Sequence, residues 1–178
     1  MEVIPLFAIN TFKFRLNTSY FARLIDGLYK LKQNDKEGRE VSNQGGWQSN
    51  DITNSELFNS LLPFLNKKIS KFFKEEYKVE EVWANISPKY SYNSIHTHSF
   101  IGMGNFPYNQ LSGVMYLQCT KDSGDLNLYN PHFVGSVFNY SPKVGDVILF
   151  PSTLPHSVGR NNTDVDRISI AFNSNRIE

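Results

Sequence analysis

A chain of 178 residues, 40% hydrophobic and 14% aromatic, is long enough for one domain with a sizeable core. Its net charge of +1 gives no electrostatic case for nucleic acid or an anionic membrane. No apolar run approaches the roughly 18 residues of a membrane span, the start Met1-Glu2-Val3-Ile4-Pro5 is no signal peptide, and the one cysteine cannot make an internal disulfide; a soluble cytoplasmic protein is expected.

Residues 3–16 predict an opening strand or strand pair, with Phe7, Phe12, Phe14 and Leu16 facing the core. Thr18 or Ser19 then caps a first helix, along which Phe21, Leu24, Ile25, Leu28 and Leu31 recur at helical spacing. Residues 33–52 read as a long polar loop that gains order by docking Trp47 beside Gly45-Gly46. Thr53-Asn54-Ser55-Glu56 reads as a capping box for a second helix that runs to about Glu76. Its apolar stripe is Phe58, Leu61, Leu62, Leu65, Ile69, Phe72 and Phe73, and Pro63 inside it predicts a kink or break. Lys67, Lys68, Lys71 and Lys74, with Glu75 and Glu76 following, read as its solvated face.

After Lys78 the period changes to two, so Val82, Ala84 and Ile86 face one way and Trp83, Asn85 and Ser87 the other. Further strands are expected at 112–119, 126–129, 136–140, 146–150 and 167–173, separated by turn signals. Cys119 falls in one of these apolar runs and reads as a buried core thiol. The expectation is one domain, mainly β with flanking helices: a helical buttress over about 18–78 and a sandwich or barrel core over about 79–175.

The chemistry-bearing pattern starts at His96-Thr97-His98. On a strand, residues two apart share a face, so both imidazoles aim inward, and His156, after the apolar run 145–151, supplies a third from a distant segment. Three neutral imidazoles suit Fe, Zn, Ni or Cu and leave coordination positions open, the layout of a catalytic mononuclear site. Metal affinity is then expected to fall below roughly pH 6.5, where free imidazole protonates. The bland alternative is a pair of surface histidines. Arg167 and Ser169 share a face of the last strand, and an inward guanidinium calls for an anion such as a carboxylate; the alternative is an outward Arg167 paired with Asp164 or Asp166. His132 reads as a loop residue, and Asp125 and Asp146 as turn residues rather than ligands. The segment 102–108, with Gly102, Gly104, Phe106 and Tyr108, reads as a lid.

Assembled, these motifs resemble the 2-oxoglutarate- and Fe(II)-dependent oxygenases, and more narrowly a small branch also found in phage genomes. The resemblance is carried by the stretches 42–49 and 83–85, His96-Thr97-His98, 112–117, 145–152, His156-Ser157-Val158 and 167–173. It implies a double-stranded β-helix, or jelly roll, and a hydroxylase-type dioxygenase using Fe(II), 2-oxoglutarate and O2. His96 and His156 would be iron ligands, and Arg167 with Ser169 would bind the distal carboxylate of 2-oxoglutarate. Tyr116 would reach the same carboxylate, and Asn85 would line the pocket. It also suggests the cytoplasm of a phage-infected bacterium as a setting.

The superfamily usually carries His-x-Asp or His-x-Glu, whereas this chain has His98 at the carboxylate position. Either His98 completes a three-histidine site, the favoured reading, or water fills that position. Two alternatives stay open: a cupin-like three-histidine metal enzyme without 2-oxoglutarate, and a non-enzymatic jelly-roll binding protein. The substrate is a small molecule or a peptidyl side chain of unread identity; neither a membrane nor nucleic acid is an expected partner, and a homodimer is allowed.

Overall fold

The computed structural model describes residues 8–98, 110–133 and 135–177. Two antiparallel sheets build it. The larger contains β1 (Phe12–Arg15), β3 (Trp47–Gln48), β4 (Tyr77–Ser87), β6 (Leu111–Gln118), β9 (Asp146–Pro151) and β11 (Arg167–Arg176), in the order β1-β9-β6-β11-β4-β3. The smaller contains β2 (Asn43–Gln44), β5 (Tyr92–His96), β7 (Leu126–Tyr129), β8 (Val137–Tyr140) and β10 (His156–Val158), in the order β2-β5-β10-β7-β8. From β4 onward the chain passes from one sheet to the other at each strand except the β7–β8 hairpin, giving the double-stranded β-helix with two helices, α1 (Phe21–Asn34) and α2 (Leu61–Phe73).

The period of two in β4, β6, β9 and β11 explains the layering. One set of alternate residues packs on the helices: Val82, Ala84 and Ile86, Ile168, Ile170 and Phe172, Met115 and Leu117, against Leu24, Leu28, Leu65 and Ile69. The other set turns to the space between the sheets: Trp83 and Asn85, Arg167, Ser169 and Ala171, Val114 and Tyr116. Both faces are covered, so burial does not alternate along β11; residue chemistry does. Side chains of apolar character therefore hold the helical layer, and polar ones are left for the interior between sheets.

Several local expectations change. Neither Thr18 nor Ser19 caps α1 through its side chain; Tyr20 occupies the cap position, and the Thr18 carbonyl accepts from the Phe21 N–H at 3.0 Å. The capping box is not formed either. Thr53 Oγ1 is drawn to Asp51 Oδ1 at 2.5 Å, and the cap shifts to Ser55, whose Oγ accepts from Leu57 N at the start of a 3-10 turn, Glu56–Phe58. The second helix thus begins at Leu61, with Pro63 in its first turn, where the missing N–H breaks nothing. Phe72 lies on the solvent side of α2, 61% exposed, though its ring meets Phe12 edge-on. Among the described residues the opening strand is β1; postulated residues 3–7 lie outside them, as does the lid segment 102–108. The long loop is ordered by Trp47, whose indole N–H donates to the Asp35 carbonyl at 2.7 Å, and by the β2–β3 turn, where Gly45 takes a φ of +68°.

Asp146 is a turn residue, as its place beside Gly145 suggests, but it is also fully buried. It accepts from Tyr140 Oη (2.6 Å) and Lys143 N (3.0 Å), and Arg15 Nε lies 3.2 Å away. These contacts tie the β8–β9 turn and β1 to one carboxylate. Asp146→Ala is therefore expected to cost about 2–4 kcal/mol of stability, read as a lower urea midpoint; an unchanged midpoint would assign the carboxylate no such role.

Candidate metal centre

His96 ends β5 and His156 begins β10, and the two are direct cross-strand partners. Register alone therefore brings together residues 60 positions apart. His98 lies in the bend beyond β5, not on the strand, and is held there by its N–H donating to the Ser152 carbonyl at 2.9 Å. His98 therefore does not share a strand face with His96, because β5 ends before the second histidine. The bend nevertheless returns His98 to the cluster. Ring centroids stand 4.2 Å apart for His96 and His156, 4.8 Å for His98 and His156, and 5.1 Å for His96 and His98. Nitrogen atoms of all three lie within 4.8 Å of one another.

Outer hydrogen bonds decide which nitrogens face inward. His96 Nδ1 meets the Ser94 carbonyl at 2.8 Å, and His156 Nδ1 the Leu154 carbonyl at 2.9 Å. His98 Nδ1 meets Asn173 Oδ1 at 3.0 Å and Ser112 Oγ at 2.7 Å. Carbonyl oxygens only accept, so Ser94, Leu154 and Asn173 place the proton on Nδ1 and leave the Nε2 lone pair for a metal. Burial holds the imidazoles neutral. It lowers the pKa of His98 to about 4 and of His156 to about 3, with the neighbouring histidines adding to the effect, and it lowers that of His96 as well. No carboxylate joins the cluster among the described residues. The donor set therefore fits a divalent ion of the Fe, Zn or Ni type, through three neutral imidazoles.

These directions define a pH dependence. Between about pH 6.5 and the folded-state values, the unfolded chain binds protons that the folded chain refuses, so acid lowers stability. Metal-free protein is expected to lose stability as pH falls from about 6.5 to 4, by roughly 1.4 kcal/mol per pH unit for each such imidazole. A flat urea midpoint over that range would contradict it. Metal affinity is correspondingly expected to persist below pH 6.5, the falling point of a free histidine, because burial lowers the proton affinity of all three imidazoles.

Beside the histidines, a cavity of about 50 Å³ lies between the sheets. Tyr116, Asn85, Arg167 and Ser169 line it, with apolar walls from Val114, Leu126 and Phe150. Arg167 is 2% exposed. Its Nη1 donates to the carbonyls of Ser123 (2.5 Å) and Gly159 (3.1 Å), which fix the guanidinium without neutralising it. Asp164 pairs with Lys89 and Asp166 accepts from Tyr29, so the outward alternative does not hold. The buried Tyr116 hydroxyl and Asn85 Oδ1 have no hydrogen-bond partner among the described residues. A buried cation beside an unpartnered hydroxyl is costly unless a ligand completes it, and a carboxylate fits both.

The structure thus assembles His96, His98 and His156, and separately Asn85, Tyr116, Arg167 and Ser169, around one cavity. His132 lies apart on an exposed turn, and Asp125 accepts from Ser141 Oγ away from the cluster. Cys119 is half-buried rather than buried, and burial pushes its thiol up to about 11, consistent with an inert role. Sequence reading missed Ser112, Asn173, Trp83 and Ser42. The ring of Trp83 lies 5.2 Å from that of His98, and Ser42 Oγ lies 3.4 Å from His96 Nε2. Trp83 and Ser112 were visible as cavity-face members of alternating strands, but Ser42 is brought in by the pairing of β2 with β5, which no local pattern encodes. Gly124 was also missed: a Cβ there would lie 2.4 Å from Arg167 Nη1, so only glycine leaves the guanidinium its place.

Comparison with known proteins agrees with this geometry. Residues 131–173, which include His156, Arg167 and Ser169, match the family described as "Putative 2OG-Fe(II) oxygenase". No curated protein is similar enough to match the chain. Among solved structures, a Pseudomonas putida prolyl-4-hydroxylase superposes with a TM-score of 0.72 at 16% identity, covering 96% of this chain and 94% of that one. HygX from Streptomyces hygroscopicus, solved with nickel and 2-oxoglutarate, gives 0.72 at 12% identity over 94% and 83%. SnoN of nogalamycin biosynthesis, a non-heme α-ketoglutarate-dependent epimerase, gives 0.75 at 14% over 93% and 77%. At such identities the superpositions establish the fold. The fold is thus that of the 2-oxoglutarate/Fe(II) oxygenases, residues 131–173 resemble the matched family, and the histidine cluster is of a kind that can hold a metal ion.

Proposed function

We propose that the chain is an Fe(II)- and 2-oxoglutarate-dependent dioxygenase of the hydroxylase type. The observation that carries this reading is the pairing of a three-imidazole cluster with a cavity containing a buried, carboxylate-free Arg167 beside the unpartnered Tyr116 hydroxyl. His96, His98 and His156 would hold the metal through Nε2. Arg167 would take the distal carboxylate of 2-oxoglutarate as a fork of donors, with Tyr116 donating from the adjacent strand and Ser169 and Asn85 beside it. Bound there, the metal and co-substrate supply oxidative decarboxylation of 2-oxoglutarate to succinate and CO2, coupled to insertion of one oxygen atom of O2 into a C–H bond.

The chain's own part is positioning and exclusion of water. Val114, Leu126 and Phe150 make the cavity apolar around the polar anchor, which strengthens the guanidinium–carboxylate pairing there. The neutral state of the imidazoles keeps their lone pairs available at physiological pH. The substrate is a small molecule or a peptidyl side chain. Assignment to the branch also found in phage genomes, and a bacterial cytoplasm as the setting, rest on the sequence motifs. Formation of succinate from 2-oxoglutarate by Fe(II)-loaded protein under air tests the reading; no turnover above that of free Fe(II) would oppose it. The all-histidine cluster also favours a second reading, a cupin-like metal enzyme that binds substrate directly, without 2-oxoglutarate.

A further inference from the structure

Three of the polar residues stand in one row across the larger sheet. Glu81 on β4 is the cross-strand partner of Asn173 on β11, and Asn173 is the partner of Ser112 on β6. Partners in a ladder share a face, here the face turned to the metal centre. Asn173 Nδ2 donates to Glu81 Oε2 at 3.1 Å. That contact fixes the amide: its donor end takes the carboxylate, so its acceptor end must face Ser112 Oγ (2.9 Å) and His98 Nδ1 (3.0 Å).

His98 needs this help more than its neighbours do. His96 and His156 each find a backbone carbonyl two residues upstream, Ser94 and Leu154, so their tautomers are fixed locally. His98 Nδ1 instead reaches two side chains of the opposite sheet. One of them, the Ser112 hydroxyl, both donates and accepts and so selects neither tautomer. The other, Asn173 Oδ1, only accepts once Glu81 has oriented the amide. We propose that Asn173, oriented by Glu81, is the positioning residue that makes His98 a metal ligand, by holding its proton on Nδ1 and its lone pair on Nε2. The proposal rests on the metal-centre reading given above. In effect, the row replaces the usual ligand carboxylate with a carboxylate placed two hydrogen bonds behind a histidine, through the Asn173 amide.

The test reads the tautomer first, without metal. In 15N-histidine-labelled apoprotein near neutral pH, long-range 1H–15N correlation is expected to show His98 protonated at Nδ1, with His98→Gln assigning the signal. Asn173→Ala should mix or reverse the tautomer, and the Glu81→Gln/Asn173→Asp double variant, which keeps an acceptor at His98, should restore it. Co(II) affinity should fall about 10–100-fold in Asn173→Ala, with a changed visible spectrum, and should not fall further when His98→Gln is already present. A wild-type His98 protonated at Nε2, or an Asn173→Ala variant with unchanged tautomer and affinity, would overturn the proposal. Wild-type protein that holds the tautomer yet takes up no Co(II) would instead overturn the metal-centre reading, and the ligand role with it.

Discussion

Arg167→Ala is expected to weaken 2-oxoglutarate binding by roughly 10²–10⁴-fold while leaving Fe(II) binding almost unchanged. The size follows from two charge-assisted hydrogen bonds at about 1.5–3 kcal/mol each, with tenfold per 1.4 kcal/mol. The separation follows from the structure, because the guanidinium is tethered to the carbonyls of Ser123 and Gly159 and is not a member of the histidine cluster. Loss of those two tethers also leaves buried carbonyls short of a donor, so Arg167→Lys is the companion variant: it keeps the charge and loses the fork. Lysine should bind 2-oxoglutarate with intermediate affinity. Anaerobic calorimetry on the metal-loaded variants reads both effects. Undiminished turnover in Arg167→Ala would favour the three-histidine enzyme that works without 2-oxoglutarate.

His156→Ala is expected to lower metal affinity by more than about 100-fold and to abolish turnover. It removes one of three ligands outright, a larger loss than the 10–100-fold typical of an outer-shell partner. The residue is 4% exposed, begins β10 opposite His96, and is anchored through Nδ1 to Leu154. The fold should survive, because β10 remains paired on both sides, with β5 and with β7. Competition against a chelator reads the affinity, and circular dichroism checks the fold. Metal binding equal to the wild type would mark the cluster as incidental and favour the binding-protein alternative.

The sheet core was legible because period two in residues 82–87 and 167–173 separates the helix-packed residues from the cavity-facing ones without ambiguity. Arg167 and Ser169 were legible for the same reason, as polar residues on one face of an alternating strand, whereas Tyr116 and Asn85 were reached only through the family resemblance. His96 and His156 could be named but not paired, since their contact is made by the β5–β10 register, which depends on the whole smaller sheet. The helix starts were misread because local side-chain competition decided them. Asp51 took the Thr53 hydroxyl, and the cap passed to Ser55. Asn173 stood in plain view at the end of the Arg167 alternation, yet its role depends on Glu81, 92 positions away, and only the strand register joins them.

Anaerobic titration of Fe(II)-loaded protein with 2-oxoglutarate tests the central claim most directly. Wild-type protein is expected to show a saturable, weak visible absorption of the chelate that reaches one equivalent and is lost in Arg167→Ala at the same co-substrate concentration. Stoichiometric iron with no such absorption would contradict the use of 2-oxoglutarate, and protein that takes up no iron would contradict the metal centre itself.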